Sequence, residues 1–426
     1  MAQLLIKNQN KYVPSCGNGE SKKVITPIPF HGDQLFEERG RNVIWTFQDG
    51  YNEFDSIKGL NPEFADWHRK VNFYEMEFNM FCKSDSGNEL GTTKASMNRT
   101  RKTNASAGPK KKYNEYKEFH QCELEAHICS AFMEITGMED TNGTPKTINL
   151  PSNLTNKQTK GEWLLSLCES FIDRYCFDSE DLDNLIQQTN QLELASLGKY
   201  KCRVEKCDKA FVYHSGRVRQ EKKNHLQFTP EEDTSVNETQ DPIINDHLYN
   251  YHCAKLEFGM ILFYFNDAVL QVDGQRLHDI YKLALLLYKS GGHTKYSYVV
   301  LLYLVQIAAI YSEFEAHKIM WNRFYNKYRR LGGKISLDLK KEQQNKVLKT
   351  IWRALGSNLN KASASRVAEA LENLERLIES IDKEYNLQER KGYKSSGNNT
   401  ESVMQITFDL SSIKASKFTP GRHGHA

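Results

Sequence analysis

The sequence predicts a mainly α-helical protein, with an α-helical bundle in its C-terminal half and a smaller mixed α+β region before it. Three observations carry this reading. From Asn245 onward apolar residues recur at helical spacing in long stretches, broken at Gln271-Val272-Asp273-Gly274-Gln275 and at Ser290-Gly291-Gly292. Strand-like patterning is confined to short pieces such as Val24 to Phe30, which two prolines interrupt. The chain is 39% hydrophobic and 11% aromatic over 426 residues, enough to bury a core and to form more than one domain.

In chain order, residues 1–23 are polar and turn-rich and read as a disordered N-terminus. Residues 24–138 form the mixed region. Val24 to Phe30 is an edge strand or extended segment, and His31-Gly32-Asp33 turns into a helix through Gln34 to Trp45. Asp33 suits the N-cap of that helix, with Glu37 and Glu38 favoured in its first turns by the helix dipole. A sharper reading makes Asp33 a metal-binding carboxylate at a strand end. Phe64-Ala65-Asp66-Trp67-His68 opens a second helix, and Tyr113 to Met133 forms a third. On that third helix His120, Glu123 and His127 fall at steps of three and four. This spacing could hold a metal, but it also suits an ordinary exposed face.

Residues 139–199 read as a loop followed by helical segments, Glu162 to Cys176 and Leu185 to Leu197. Residues 200–228 carry a zinc-finger-like module, and the acidic stretch 229–244 reads as a linker. Six helices fill 245–382, where the spans Glu313 to Tyr328, Lys340 to Leu355 and Ala364 to Ile381 follow an apolar run at 295–311. A membrane span needs about 17–25 apolar residues. The run is shorter than that, contains Gln306, and is followed by Glu313 and Glu315, so it predicts a buried core helix and no membrane partner. Residues 383–426 read as a disordered tail.

A net charge of +3 argues against a general nucleic-acid coat protein. Nine cysteines are too few for a disulfide scaffold, and the N-terminus carries no apolar stretch of signal-peptide type, so the expected location is intracellular, nucleus or cytoplasm. One local basic run stands out. Residues 94–112 hold seven basic residues and no acidic one: Lys94, Arg99, Arg101, Lys102, Lys110, Lys111 and Lys112. It suits contact with a DNA phosphate backbone or a nuclear-localisation signal, and equally a solvated mobile loop.

The module at Tyr200 to His225 resembles a two-Cys, two-His zinc finger. Cys202 and Cys207 have four residues between them, and Phe211 stands where the finger places its core aromatic. His225 fills the last ligand position, but the third ligand position is Gln220. Structural zinc is almost always four-coordinate with Cys or His ligands, so zinc is weak here at best. The finger is then a degenerate one, a three-ligand site completed by water, or a site in which His214 substitutes.

Between Met320 and Asn358 a Gly332-Gly333 turn precedes a helix carrying Asp338, Glu342, Asn345 and Lys349 at steps of four, three and four, a polar stripe on one face. This stripe reads as a site, a capping network or a solvated face. Six stretches taken together, His31 to Arg39, Phe64 to His68, Asn266 to Leu277, Tyr288 to Tyr296, Met320 to Asn326 and Asp338 to Lys346, resemble the domain-of-unknown-function family 6589, which occurs in transposon-associated eukaryotic proteins. The resemblance covers residues 28–382 and implies a diverged RNase H-like transposase. Under it Asp33 and Glu342 would be catalytic carboxylates holding magnesium, since two-metal phosphoryl transfer needs clustered carboxylates. The family's Asp-Asn motif upstream of the Gly-Asp-Gln-Leu stretch is missing before Asp33, and Gln343 stands where the family tends to have His. These departures imply a decaying copy.

Three functions follow. The first is a transposon-derived, catalytically inactive protein that retains a helical domain. The second is a metal-dependent RNase H-like nuclease or transposase acting on DNA. The third is a nucleic-acid-binding adaptor using the basic run and the finger.

Overall fold

A computed structural model of the chain describes residues 1–149, 151, 156–176, 200–202, 204, 207, 209–211, 220, 223–224, 245–326, 333–385 and 399–425. Helices α1 (Ala2–Tyr12), α2 (Gln34–Thr46), α3 (Asp66–Phe81), α4 (Thr93–Arg99), α5 (Tyr113–Thr136) and α6 (Lys157–Tyr175) come first. They are followed by α7 (His247–Gln271), α8 (Gly274–Ser290), α9 (Thr294–Val305), α10 (Glu313–Trp321), α11 (Leu337–Leu355), α12 (Lys361–Glu384) and α13 (Thr400–Ser412). The strands are short: β1 (Ser15–Cys16), β2 (Lys23–Val24), β3 (Ile28–Gly32), β4 (Leu60–Phe64), β5 (Tyr200–Lys201), β6 (Ala210–Phe211), β7 (Phe324–Asn326) and β8 (Lys334–Ser336). The fold is mainly α, as composition and periodicity predict.

The chain divides into two compact units, Met1–Glu125 with Phe258–Ile406, and Ala126–Glu257 with Thr407–Ala426. This division cuts across the expected border between residues 24–138 and 245–382, because most of the bundle belongs with the N-terminal region.

In the first unit β3, α2 and β4 form a βαβ element. β3 pairs with β4 in parallel, from Ile28 opposite Leu60 to Gly32 opposite Phe64. Parallel strands need a crossover, and α2 supplies it. A side chain at Gly32 would place its Cβ 2.2 Å from the Phe36 ring, so only glycine lets the strand end turn closely into α2. One apolar cluster joins Leu5, Val13, Phe54, Ile57 and Leu60, with Ile28, Phe30 and Phe36 packed against it. The expectation of a disordered 1–23 is therefore corrected. Leu5 is fully buried in that cluster, and Gln9 hydrogen-bonds the Phe54 carbonyl and the Gly59 amide.

A second core is aromatic. Phe64 meets Tyr281 and Tyr303 edge to face at 5.1 and 5.2 Å, and Phe73 packs on Phe258 and Tyr288. Such pairs add about 0.5–1.5 kcal/mol each beyond their buried area.

Two local expectations in this unit need correction. The helix read over Glu313 to Tyr328 ends at Trp321, and Phe324–Asn326 instead pairs as β7 with β8 in an antiparallel hairpin. The chain leaves the helix there because Arg323 turns inward, as described below. The run at 295–311 is only half buried. Val299, Val300 and Tyr303 face the core, while Tyr298, Leu301, Val305 and Ile310 are exposed, and α9 gives way to a π-turn at Gln306–Ile310. Among the described residues no helix is long and apolar enough to cross a membrane.

In the second unit Asp246 caps α7, accepting from the Tyr249 amide at 2.9 Å, and receives the Arg422 guanidinium at 2.7 Å. The Thr419 amide donates to the same carboxylate at 2.7 Å. His252 joins His127 and His425 in a chain of two 3.2 Å contacts. Burial, followed by the charges of His127 and His425, holds His252 well below the usual histidine range, so it stays neutral. The tail expected to be disordered is thus ordered over 399–425, where α13 forms and Arg422 is pinned. The expected helix at Leu185 to Leu197 and the linker 229–244 lie outside the described residues.

Candidate functional site: a polar cavity beside β3, α3 and α11

The site rests on one buried ion pair. Asp66, at the first position of α3, and Arg323, just after α10, are 2% and 1% exposed. Arg323 Nε donates to both Asp66 oxygens at 3.0 and 3.1 Å, and Nη2 donates to Oδ1 at 2.7 Å and to the Phe64 carbonyl at 2.8 Å. Tyr281 Oη adds a 2.6 Å bond to Asp66. Burial alone would lower the Arg323 pKa, but the Asp66 charge and hydrogen bond, together with Tyr281 and Tyr303, outweigh it and hold the guanidinium firmly protonated. The pair fixes the end of β4 and the start of α3 against the β7–β8 hairpin, which leads directly into α11.

Asp338, in the first turn of α11, reaches across to the N-terminus of α3. It accepts from the backbone amides of Trp67 at 3.1 Å and His68 at 3.0 Å, and pairs with His68 Nδ1 at 3.0 Å. Those amides are donors that a helix start leaves without an intrahelical partner, so Asp338 caps α3 from a different element. Its burial would raise its pKa, yet the His68 side chain and the two amides overcome that and depress it. His68 moves the other way. The Asp338 hydrogen bond raises its pKa against the opposing effect of burial, with further support from the charges of Asp338, Glu342 and Asp33.

Around these groups lies a cavity of about 680 Å³. His31, Gly32, Asp33 and His68 line it together with Asp338, Lys340, Lys341 and Glu342. Tyr325, Gln344, Glu375 and Arg376 also border it. The two carboxylates singled out as catalytic, Asp33 and Glu342, therefore share one cavity, and the charges of both act on His68. Asp33 also caps α2, accepting from the Phe36 amide at 2.7 Å, so the capping reading holds. Of the polar stripe, Asp338 is buried in its capping role and Asn345 lies 3.5 Å from Glu342 Oε1. Lys349 is exposed and does not line the cavity. Lys340 and Gln344 both hold Glu375, at 2.9 and 3.2 Å.

Near the cavity Glu63 is 1% exposed. Burial pushes its pKa up to about 7, against the lowering effect of Arg323 and with a further rise from Glu37. His31 is pushed down to about 4, by burial first and then by the Arg323 charge. Among the described residues no three His, Cys, Asp or Glu side chains are grouped so as to hold a metal ion.

Among the described residues, the other predicted ones do not line this cavity. In the finger-like segment β5 and β6 pair as Tyr200 with Phe211, and the Cys202 amide bonds the Lys209 carbonyl at 2.9 Å. Gln220, at the third ligand position, directs Nε2 to Cys207 Sγ at 3.7 Å. His214 and His225 lie outside the described residues. The basic run is not a free loop. It contains α4, in which Ala95, Ser96 and Met97 are buried. Lys102 pairs with Glu118 at 3.0 Å, Lys110 with Glu75 at 3.3 Å and Lys112 with Glu115 at 3.3 Å. Arg101 and Lys111 are exposed, as is Arg99 at the end of α4. His120, Glu123 and His127 are likewise not an exposed face. All three are buried, and His120 Nδ1 sits 3.0 Å from the Glu77 carboxylate.

Sequence reasoning missed the Asp66–Arg323 pair, and it offered a capping network for the stripe without naming α3 as the helix that Asp338 caps. The signal for the pair was an acidic residue in Phe64 to His68 and an arginine after an apolar helix, 257 positions apart in the chain. Only the fold connects them.

A family model described as a family of unknown function (DUF6589) matches residues 6–394, and the chain belongs to that family. No curated relative and no solved structure matches it.

Proposed function

We propose that the chain is a transposon-derived protein that keeps the shaped cavity of an ancestral phosphoryl-transfer site but is catalytically inactive. The observation that carries this is the state of Asp338. Its carboxylate is taken up by two backbone amides and His68, which leaves Asp33, one oxygen of which caps α2, and Glu342 to face a metal. Two-metal catalysis needs more ligands than that. The order of the motifs supports descent from a transposon-associated protein, and the substitutions at Gln220 and Gln343 support loss of activity. In the test, purified chain is incubated with plasmid and single-stranded DNA in magnesium or manganese. The expected result is intact DNA. Cleavage that disappears in Glu342→Gln overturns the proposal.

One observation favours a second reading, a metal-dependent nuclease acting on DNA. The cavity that holds Asp33 and Glu342 also carries Lys341 and Arg376, so a cation on the carboxylates and a phosphate on the basic groups would fit side by side. The same assay separates the two. For the finger and the basic run, a DNA-binding role predicts an affinity that falls steeply with salt.

A further inference from the structure

α3 and α5 bring four hydrogen-bond donors together, and the carboxylates whose charge reaches them are already engaged. Trp67 and Lys70 are three residues apart on α3, and Tyr113 and Lys117 four apart on α5, so each pair shares a helix face. The rings of Trp67 and Tyr113 meet edge to face at 6.0 Å. Trp67 Nε1 and Tyr113 Oη are both buried without a hydrogen-bond partner. Lys70 is only 6% exposed. Burial and then the Lys117 charge push its pKa down to about 7, and burial lowers Lys117 as well. The acidic groups whose charge reaches Lys70 are committed elsewhere, Asp338 to the α3 amides and His68, and Asp66 to Arg323.

Buried ammonium and N–H groups are normally paired, and each one left unpaired costs free energy. Two amines and two neutral donors on facing helix surfaces, with the local carboxylates occupied, lack one acceptor that could serve them all. We infer that Trp67, Lys70, Tyr113 and Lys117 bind one small oxyanion of the phosphate and sulfate class. The burial of Lys70 excludes a polymer backbone, so the ligand is a free anion rather than a nucleic acid. A tetrahedral oxyanion offers several acceptor atoms, which suits point-charge ammoniums beside N–H and O–H donors.

The test measures thermal stability and calorimetric binding of the full chain in inorganic phosphate, sulfate and chloride at equal ionic strength. Phosphate and sulfate are expected to raise the wild-type Tm above its chloride value in a saturable way. Lys70→Met is expected to abolish that response and to raise the Tm in chloride, because an unpaired buried amine is gone. Trp67→Phe, which keeps a ring and removes the N–H, is expected to weaken phosphate binding about tenfold, and it carries the test if Lys70→Met does not fold. A wild-type response no larger than that in chloride overturns the inference. So does an undiminished phosphate response in both variants.

Discussion

Asp66 and Arg323 form a buried pair in which Nε bridges both carboxylate oxygens and Nη2 adds a 2.7 Å bond. One comes from the start of α3 and the other from the turn after α10, so the pair joins the N-terminal βαβ element to the elements that lead into α11. Removing one partner strands a charge in the interior. Arg323→Leu or Asp66→Leu alone is expected to cost about 3–5 kcal/mol in urea unfolding, and the double variant less than the sum. Arg323→Lys is expected to recover little, since an ammonium lacks the fork that also reaches the Phe64 carbonyl. A loss below about 1 kcal/mol in both single variants contradicts this role for the pair.

The cap that Asp338 places on α3 predicts a linked change in two observables. Asp338→Ala is expected to cost about 1–2 kcal/mol and to bring the His68 pKa, read by NMR, down towards its ordinary value. The signs are opposite for the two partners. The contribution of His68 is complete below about pH 6.5 and is lost as pH rises through its raised pKa. The contribution of Asp338 is present above its ordinary range and is lost as pH falls through its depressed one. An unmoved His68 titration in the variant rules out the contact.

Glu63 gives a pH signature of its own. The native state keeps its proton up to about pH 7, while the unfolded chain releases it near 4.5. The native state therefore binds more protons between those values, and stability falls as pH rises across them. Glu63→Gln is expected to match the wild type near pH 4 and to exceed it at pH 8 by up to about 3 kcal/mol. Equal stability differences at both pH values would count against a buried, protonated Glu63.

Gln220 directs its side-chain amide at Cys207 from the third ligand position of the finger pattern. Gln220→His completes a two-Cys, two-His ligand set with Cys202, Cys207 and His225. This variant is expected to take up stoichiometric zinc, measured by elemental analysis, that Cys207→Ser removes. Zinc at equal level in the unsubstituted chain would show that the finger never decayed.

Sequence reasoning reached the helices of the first unit through their periodicity, and family resemblance singled out Asp33 and Glu342, which line one cavity. It read Asp338, Glu342, Asn345 and Lys349 as one stripe, yet they act differently because the surroundings of α11 change along its length. Asp338 meets a helix N-terminus, Glu342 a cavity and Lys349 solvent. It read the termini and the basic run as loose because polarity and charge there mask a few anchors, the buried Leu5 in α1 and Met97 in α4, and Arg422 paired with the buried Asp246. Local sequence carries no sign of the partners of Leu5 around Phe54 to Leu60 or of Arg422 at Asp246, which lie far away in the chain.

On the proposed function, Asp338 holds α3 in place, and Asp33 and Glu342 alone do not make a working metal site. Manganese titration of the full chain, followed by electron paramagnetic resonance at about pH 7.5, tests this most directly. No bound manganese is expected in the micromolar range, for the wild type and for Glu342→Gln alike. A stoichiometric micromolar site in the wild type that Asp33→Asn and Glu342→Gln each abolish would contradict it.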